Sequence, residues 1–536
     1  MKEIQSVDVN SNIETTFNNQ SNGIEMEPTV EELATLEHIL DRIPLTVWSI
    51  IFCEMCEGFA STGTYQIMQN YIQFPEPTLN NTQAGALDLG QQTATALTLS
   101  YSTLCFLSPI AAGIIADQFW GRYRTLVVAS VIYVLGLIIL VTTSIPASLK
   151  NGIGLPGLIC GMITMGIATG GFKTASGPLM AEQYTRTKPV IKEIKGKKKI
   201  VDPKITIQSL FNWLCCAYSL GTLVSMIILT IVERYHSFWL AYLIPLGIFP
   251  ASLIVLFITR QRYIRVPPTQ SMLVHVFRKH WLDYAKETVE MEHRNQFIDD
   301  FKETLHACRL FVFFPFFWIC YNQISGNLTS QAAQMNTGSI PNDIFGCITP
   351  LFVLIFAPIF DKIICPTLRR CNIEFGSVKQ ITCGFFAAAL GIGYTAIVQH
   401  LIYSTEPNFN YETEPCLTCQ TFNNINVAWQ LPSHIFLAIS ETLTYISGQD
   451  YAFTKAPATM KSIVMSVFLA TAAVGGVFNI ALIPVNIDPK LVWMYTSIAI
   501  VTFVIAIIFY ILFRKDDVQI LPISDLKRRS SVLSIR

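Results

Sequence analysis

About twelve stretches of this sequence are apolar over roughly the 20 residues that a helix needs to cross a bilayer. Six lie near 43–69, 90–116, 123–145, 153–184, 206–232 and 236–259. A second six lie near 306–335, 341–362, 375–403, 425–454, 461–484 and 490–513. No soluble core absorbs that much apolar chain, because single cores stop growing near roughly 250–300 residues. Composition agrees, with 51% hydrophobic and only 14% charged residues, where soluble domains carry about 25% charged. The balance of 37 basic against 37 acidic groups excludes a nucleic-acid binder, whose footprint is a basic excess. An all-α polytopic membrane protein remains.

The spans divide the chain into an N-terminal tail with a lead-in helix (1–42), a six-helix bundle (43–259), a polar central loop (260–305), a second six-helix bundle (306–513) and a C-terminal tail (514–536). Twelve helices in two bundles around one central loop fit the major facilitator fold. Basic loops stay cytoplasmic. The loop from Arg186 to Lys204 carries eight Lys/Arg and the stretch from Arg260 to Arg309 carries nine, whereas the loops after spans 1, 7 and 9 carry none. Both termini are therefore expected in the cytoplasm. Residues 1–40 contain no apolar leader and read as an acidic, polar tail ending in an amphipathic helix over Val30–Leu40.

Several residues have ordinary explanations. Cys416-Leu-Thr-Cys419 falls in an external loop, where two cysteines can form a local disulfide; zinc needs about four ligands, and this loop offers no others. Asn80-Asn81-Thr82 is a glycosylation sequon in the first external loop, while the sequon at Asn327 lies inside span 7 and is expected to be inert. His434 stands two helical turns before Glu441 and reads as a packing residue rather than a proton relay. Gly157/Gly161 and Gly166/Gly170 repeat a spacing that lets helices approach closely. Ser531, with arginines two and three positions before it, fits a kinase site on the tail, although a positive-inside flank explains the same residues. No phosphate-cradling loop, nucleophile elbow or metal pattern is present, so an enzyme is not expected.

Charge at the bilayer centre costs roughly 2.5–3.5 kcal/mol, which makes each instance a functional candidate. The span interiors hold Glu54 and Glu57 one helical turn apart in span 1, Lys173 in span 4 and Glu441 in span 10. Two carboxylates beside one lysine are not all ionised together in a low-dielectric site, so Glu54, Glu57 and Lys173 are candidates for proton coupling. A static Glu–Lys pair joining spans 1 and 4 is the plainer alternative. Lys173 can hold a carboxylate and Glu441, in the opposite half, an amine. Together they suit a zwitterion with separated ends.

These residues resemble the proton-coupled oligopeptide transporter family, in particular its fungal di- and tripeptide branch. Asp117-Gln-Phe-Trp-Gly121-Arg122-Tyr-Arg124 is similar to the major facilitator loop signature. Gly170-Gly171-Phe172-Lys173, Trp318 to Met335, Pro341-Asn342-Asp343 and Ser440-Glu441 resemble the family's patterns in spans 4, 7, 8 and 10. The resemblance implies substrate contacts at Lys173, Trp318, Asn322, Asn327 and Glu441. Two motifs depart from it. The family's span 1 motif, Glu-x-x-Glu-Arg-Phe and two tyrosines, stands here as Glu54-Met-Cys-Glu57-Gly58-Phe59-Ala60-Ser61-Thr62, so glycine replaces the arginine. In span 5, Phe-Tyr-x-x-Ile-Asn-x-Gly is replaced by Leu214-Cys-Cys-Ala-Tyr218-Ser-Leu-Gly221.

The expectation is a plasma-membrane carrier that imports di- or tripeptides with protons by alternating access, with no cofactor beyond the coupling ion. Its partners would be a short peptide or similar zwitterion and the lipid bilayer. The altered motifs leave two alternatives open: a carrier of another zwitterionic solute, or a non-transporting nutrient sensor.

Overall fold

The computed structural model describes residues 38–515 except 77–83, 187, 195–196, 266–301, 339, 365–366, 369–370, 372–374, 406–422 and 456–460; before residue 38 it describes only 28, 29, 32 and 36. Asn80, Cys416, Cys419 and Ser531 lie outside the described residues.

Among the described residues, twelve long helices form two sets of six. The first set is α1 (Leu45–Gln73), α2 (Gly90–Ile115), α3 (Arg122–Thr143), α4 (Gly154–Glu182), α5 (Pro203–Tyr235) and α6 (Phe238–Ile258). The second is α7 (Lys302–Ala333), α8 (Asn342–Ile359), α9 (Ser377–Tyr403), α10 (Leu431–Glu441 continuing through Ser447–Lys455), α11 (Lys461–Ala481) and α12 (Leu491–Phe513). Among the described residues, ten of these are long and apolar enough to cross a membrane. The other two are α1 and α10, which carry Glu54, Glu57 and Glu441 among further polar residues. Those polar groups point inward, while α12 presents Ile500, Val501, Val504, Ile507, Ile508 and Ile511 outward. An apolar exterior over a polar interior is what a lipid solvent selects, since no water is present to reward an outward charge.

Packing in one half repeats in the other. In the first half α1 packs on α5, α2 on α4, and α3 on α4 and α6; in the second α7 packs on α11, α8 on α10, and α9 on α10 and α12. Each pairing maps onto its counterpart six helices later, as a chain built from two related halves requires. The halves meet along α2–α11 and α5–α8. Small residues set these approaches: a Cβ on Gly476 would strike Thr103, and on α4 Gly157 abuts Thr143 of α3 while Gly166 and Gly170 abut Leu104 and Ser108 of α2.

One expectation fails. The helix over Val30–Leu40 is not formed at its end, where β1 (His38–Ile39) runs parallel to β3 (Lys197–Val201), itself paired antiparallel with β2 (Val190–Ile194). Within the basic loop, β2 and β3 thus form an antiparallel pair that accepts the incoming chain as a third strand. Its own Ile191, Ile200 and Val201 are buried. Pairing with a remote edge outweighs the local helical pattern, and Arg186 Nε fixes the junction 3.1 Å from Asp41 Oδ2.

Candidate functional site

The first half contributes its charges from helices without π-helical turns. On α1, Glu57 is fully buried and Glu54 is 8% exposed, with Ser61 beside the former and Ser176 of α4 beside the latter. Both Glu57 carboxyl oxygens and Glu54 Oε2 lack a hydrogen-bond partner. A buried carboxyl without a donor is a place for a proton. Lys173 is near enough to interact electrostatically with both but forms no contact ion pair with either. Its ammonium stands 5.4 Å from the Phe106 ring centroid and 5.9 Å from that of Tyr218, and its side chain is exposed between the halves. The structure therefore gathers the three expected groups without locking them into a static pair.

The second half is built differently. α7 and α10 are interrupted by π-helical turns at Ile324–Leu328, two residues after Asn322, and at Thr442–Ile446, directly after Glu441. Such turns widen the helix, leave carbonyls without their usual partners, and recur at functional sites. Glu441 accepts a hydrogen bond from Tyr321 Oη at 3.2 Å. Trp318 donates from Nε1 to Thr471 at 3.2 Å, and its ring lies 5.2 Å from Phe106, 5.6 Å from Tyr321 and 5.6 Å from Tyr445. Phe106, Trp318 and Tyr321, with Tyr445 beside Trp318, thus form a run of contacts from Lys173 to Glu441. Asn322 is half-buried beside them. Asn327 is occupied elsewhere: it donates to Gln323 at 2.6 Å and accepts from Thr95 at 3.4 Å. His434 is buried and bonded through Nδ1 to Thr349 at 3.0 Å, as a packing residue would be.

The halves are sealed at the end away from the basic loops. Gln73 accepts from Ser330 at 2.7 Å, Gln69 donates to the same hydroxyl at 3.2 Å, and Gln92 donates to the Ile483 carbonyl at 3.0 Å. At the basic end, Gly121 turns the chain with φ +73°, a conformation that suits glycine, and Arg122 pairs with Glu182 at 2.6 Å across α3 and α4. Asp117 lies in a π-helical turn at the end of α2, and Arg124 is exposed.

The altered motifs have a structural reason. α1 and α5 cross backbone to backbone, so a Cβ on Gly58 would run into the carbonyl of Tyr218 and a Cβ on Gly221 into that of Met55. An arginine has no room at position 58. Tyr218 instead turns its hydroxyl to Thr62, 3.0 Å away, and its ring toward Lys173. Sequence reasoning did not single out Tyr218, Phe106, Tyr321 or Tyr445. The one available signal was a tyrosine standing inside a motif that had otherwise lost its own.

Three kinds of likeness bear on this geometry. The family model described as the POT family matches residues 123–288 and 278–498. A probable peptide transporter of Schizosaccharomyces pombe is 38% identical over 508 residues, covering 91% of this chain and 81% of its own. A peptide transporter of Saccharomyces cerevisiae is 34% identical over 501 residues, covering 91% and 82%. The solved structure of an auto-inhibited POT family peptide transporter superposes with a TM-score of 0.73 at 17% identity, covering 90% of this chain and 98% of its own, which shows a shared fold.

Proposed function

The chain belongs to the POT family, and from that premise we propose that it imports di- and tripeptides across the plasma membrane together with protons, by alternating access of its two halves. The observation that carries this reading is one continuous run of contacting aromatic rings with a cation, Lys173, at its first-half end and a carboxyl group, Glu441, at its second-half end. A peptide is a zwitterion whose ends match that polarity. Its carboxylate is held by Lys173 and its amine by Glu441, with Trp318 and Asn322 flanking the backbone. Glu54 and Glu57, buried behind Lys173 and short of partners, take the proton. A peptide carboxylate drawn to Lys173 weakens the lysine's hold on them, and this links proton to substrate.

The closure away from the basic loops supports an inward-facing conformation, with both termini and the basic loop 186–204 in the cytoplasm. The test is uptake of a labelled dipeptide into liposomes carrying the purified protein, with an imposed pH gradient. Uptake driven by the gradient is expected. Its absence, with or without the gradient, counts against peptide transport.

A second reading draws on Gly58. Without the arginine's two-pronged grip, the substrate carboxylate rests on a point charge, which tolerates other anionic ends. A carrier of another zwitterionic solute follows, and a thermal-shift screen of amino acids and peptides separates the two.

A further inference from the structure

The end at which the two halves are joined holds a second acid pair, apart from Glu54 and Glu57. Glu233, near the end of α5, is 3% exposed, and Asp343, at the start of α8, is fully buried. Their carboxyl groups lie within hydrogen-bonding reach of each other. Since α5 belongs to the first half and α8 to the second, this contact crosses the seam. Amides surround it. Asn70 Nδ2 donates to Glu233 Oε1 and to Asn342 Oδ1, both at 2.9 Å, Asn342 returns a bond to Asn70 at 3.0 Å, and Gln66 donates to the Asp343 carbonyl at 2.7 Å.

These amides do not satisfy the pair. Glu233 Oε2 and both Asp343 carboxyl oxygens remain buried without a hydrogen-bond partner, as do the hydroxyls of Tyr71 and Tyr242 nearby. The titratable groups facing the pair are Arg234 on α5, Tyr71 on α1, Tyr242 on α6 and Cys347 on α8; α7 contributes the Thr329 carbonyl, which receives Asn342. Two ionised carboxylates in contact repel and have no hydrogen to share. One proton between them turns the same contact into a short, charge-assisted bond.

We propose that Glu233 and Asp343 form a second proton site, which latches the two halves together when occupied and lets them part when empty. Its ligand is a proton taken from the water on the side to which this end opens. Because the pair is buried when the halves are closed, that proton returns to the same side and is not carried across. The inference rests on the alternating-access reading but on no particular substrate.

The test uses the full chain in liposomes with a reporter cysteine, Ser330→Cys, at a seam position 1% exposed in the closed form. A membrane-impermeant maleimide measures its opening between pH 5.5 and 8. Rates are taken above those of protein lacking the reporter and normalised at each pH to the same cysteine in unfolded protein. We expect a rise of at least fivefold from pH 5.5 to 8. In Glu233→Gln the rate should stay low at every pH, because an amide donates to Asp343 without an added proton, and Asp343→Asn should behave alike. A flat profile in the parent protein, or the full slope surviving in both variants, overturns the latch. If neither variant folds, the parent profile alone decides. No labelling at any pH overturns alternating access and the latch with it, whereas constant labelling overturns only the latch.

Discussion

In the first half of the site, Glu54, Glu57 and Lys173 sit on helices without π-helical turns, pinned by glycine contacts to their neighbours. In the second, Asn322 and Glu441 stand at the edges of π-helical turns in α7 and α10, among aromatic rings. Rigid packing suits a group that must hold or release a proton at one place. A widened helix with spare carbonyls suits a ligand that varies in shape. The first half also carries both motif changes, whereas the second keeps the residues that resemble the family. Proton handling is thereby expected to stay in the first half, where Lys173 also meets the substrate carboxylate, while the second half accommodates the variable remainder of the substrate.

The largest effect expected on breaking this arrangement is on folding. Gly58→Arg forces a side chain into the α5 backbone and should cost about 3 kcal/mol or more, read as a lowered melting temperature in detergent. Unchanged stability would mean that the α1–α5 crossing relaxes freely. Next, Lys173→Gln should reduce dipeptide kcat/KM on the order of 100-fold, since it removes a charged contact worth about 3 kcal/mol. An equal loss for a peptide amidated at its C-terminus would place the lysine's role elsewhere.

Glu57→Gln sharpens the contrast between halves. Uptake by the parent protein should rise as the external pH falls, because the carboxyl must be protonated before inward movement. The amide mimics that protonated form permanently, so the pH slope should shrink about tenfold, with KM little changed. A full pH slope in this variant would move proton handling off α1. The smallest expected change is Tyr321→Phe, which removes one hydrogen bond to Glu441, about 1 kcal/mol, and should raise KM about fivefold with the pH slope intact.

The spans were legible because a bilayer demands about 20 apolar residues whatever the neighbours do. The buried charges were legible for the same reason, as Glu54 and Lys173 are conspicuous against Ile and Phe. What stayed hidden depends on partners distant in sequence. His38–Ile39 became a strand because Ile200–Val201 offered an edge, 162 residues on by their register. Tyr218 and Phe106 reach Lys173 only through the packing of α5 and α2 against α4, and nothing in their local sequence announces it. Asn327 resembled a substrate ligand by motif, yet its amide is engaged with Gln323 and Thr95.

The crossing at Gly58 and Gly221 also bears on how this sequence can change. Each glycine makes room for the other helix's carbonyl, so substituting one does not open space at the other. Placing an arginine at position 58 would require α5 to withdraw first, which strips Tyr218 from Lys173 and Thr62 before the guanidinium arrives. A single substitution at either glycine therefore yields a chain that packs α1 against α5 less well. The crossing therefore admits change at its rim, around Thr62 and Tyr218, more readily than at the two glycines that set it.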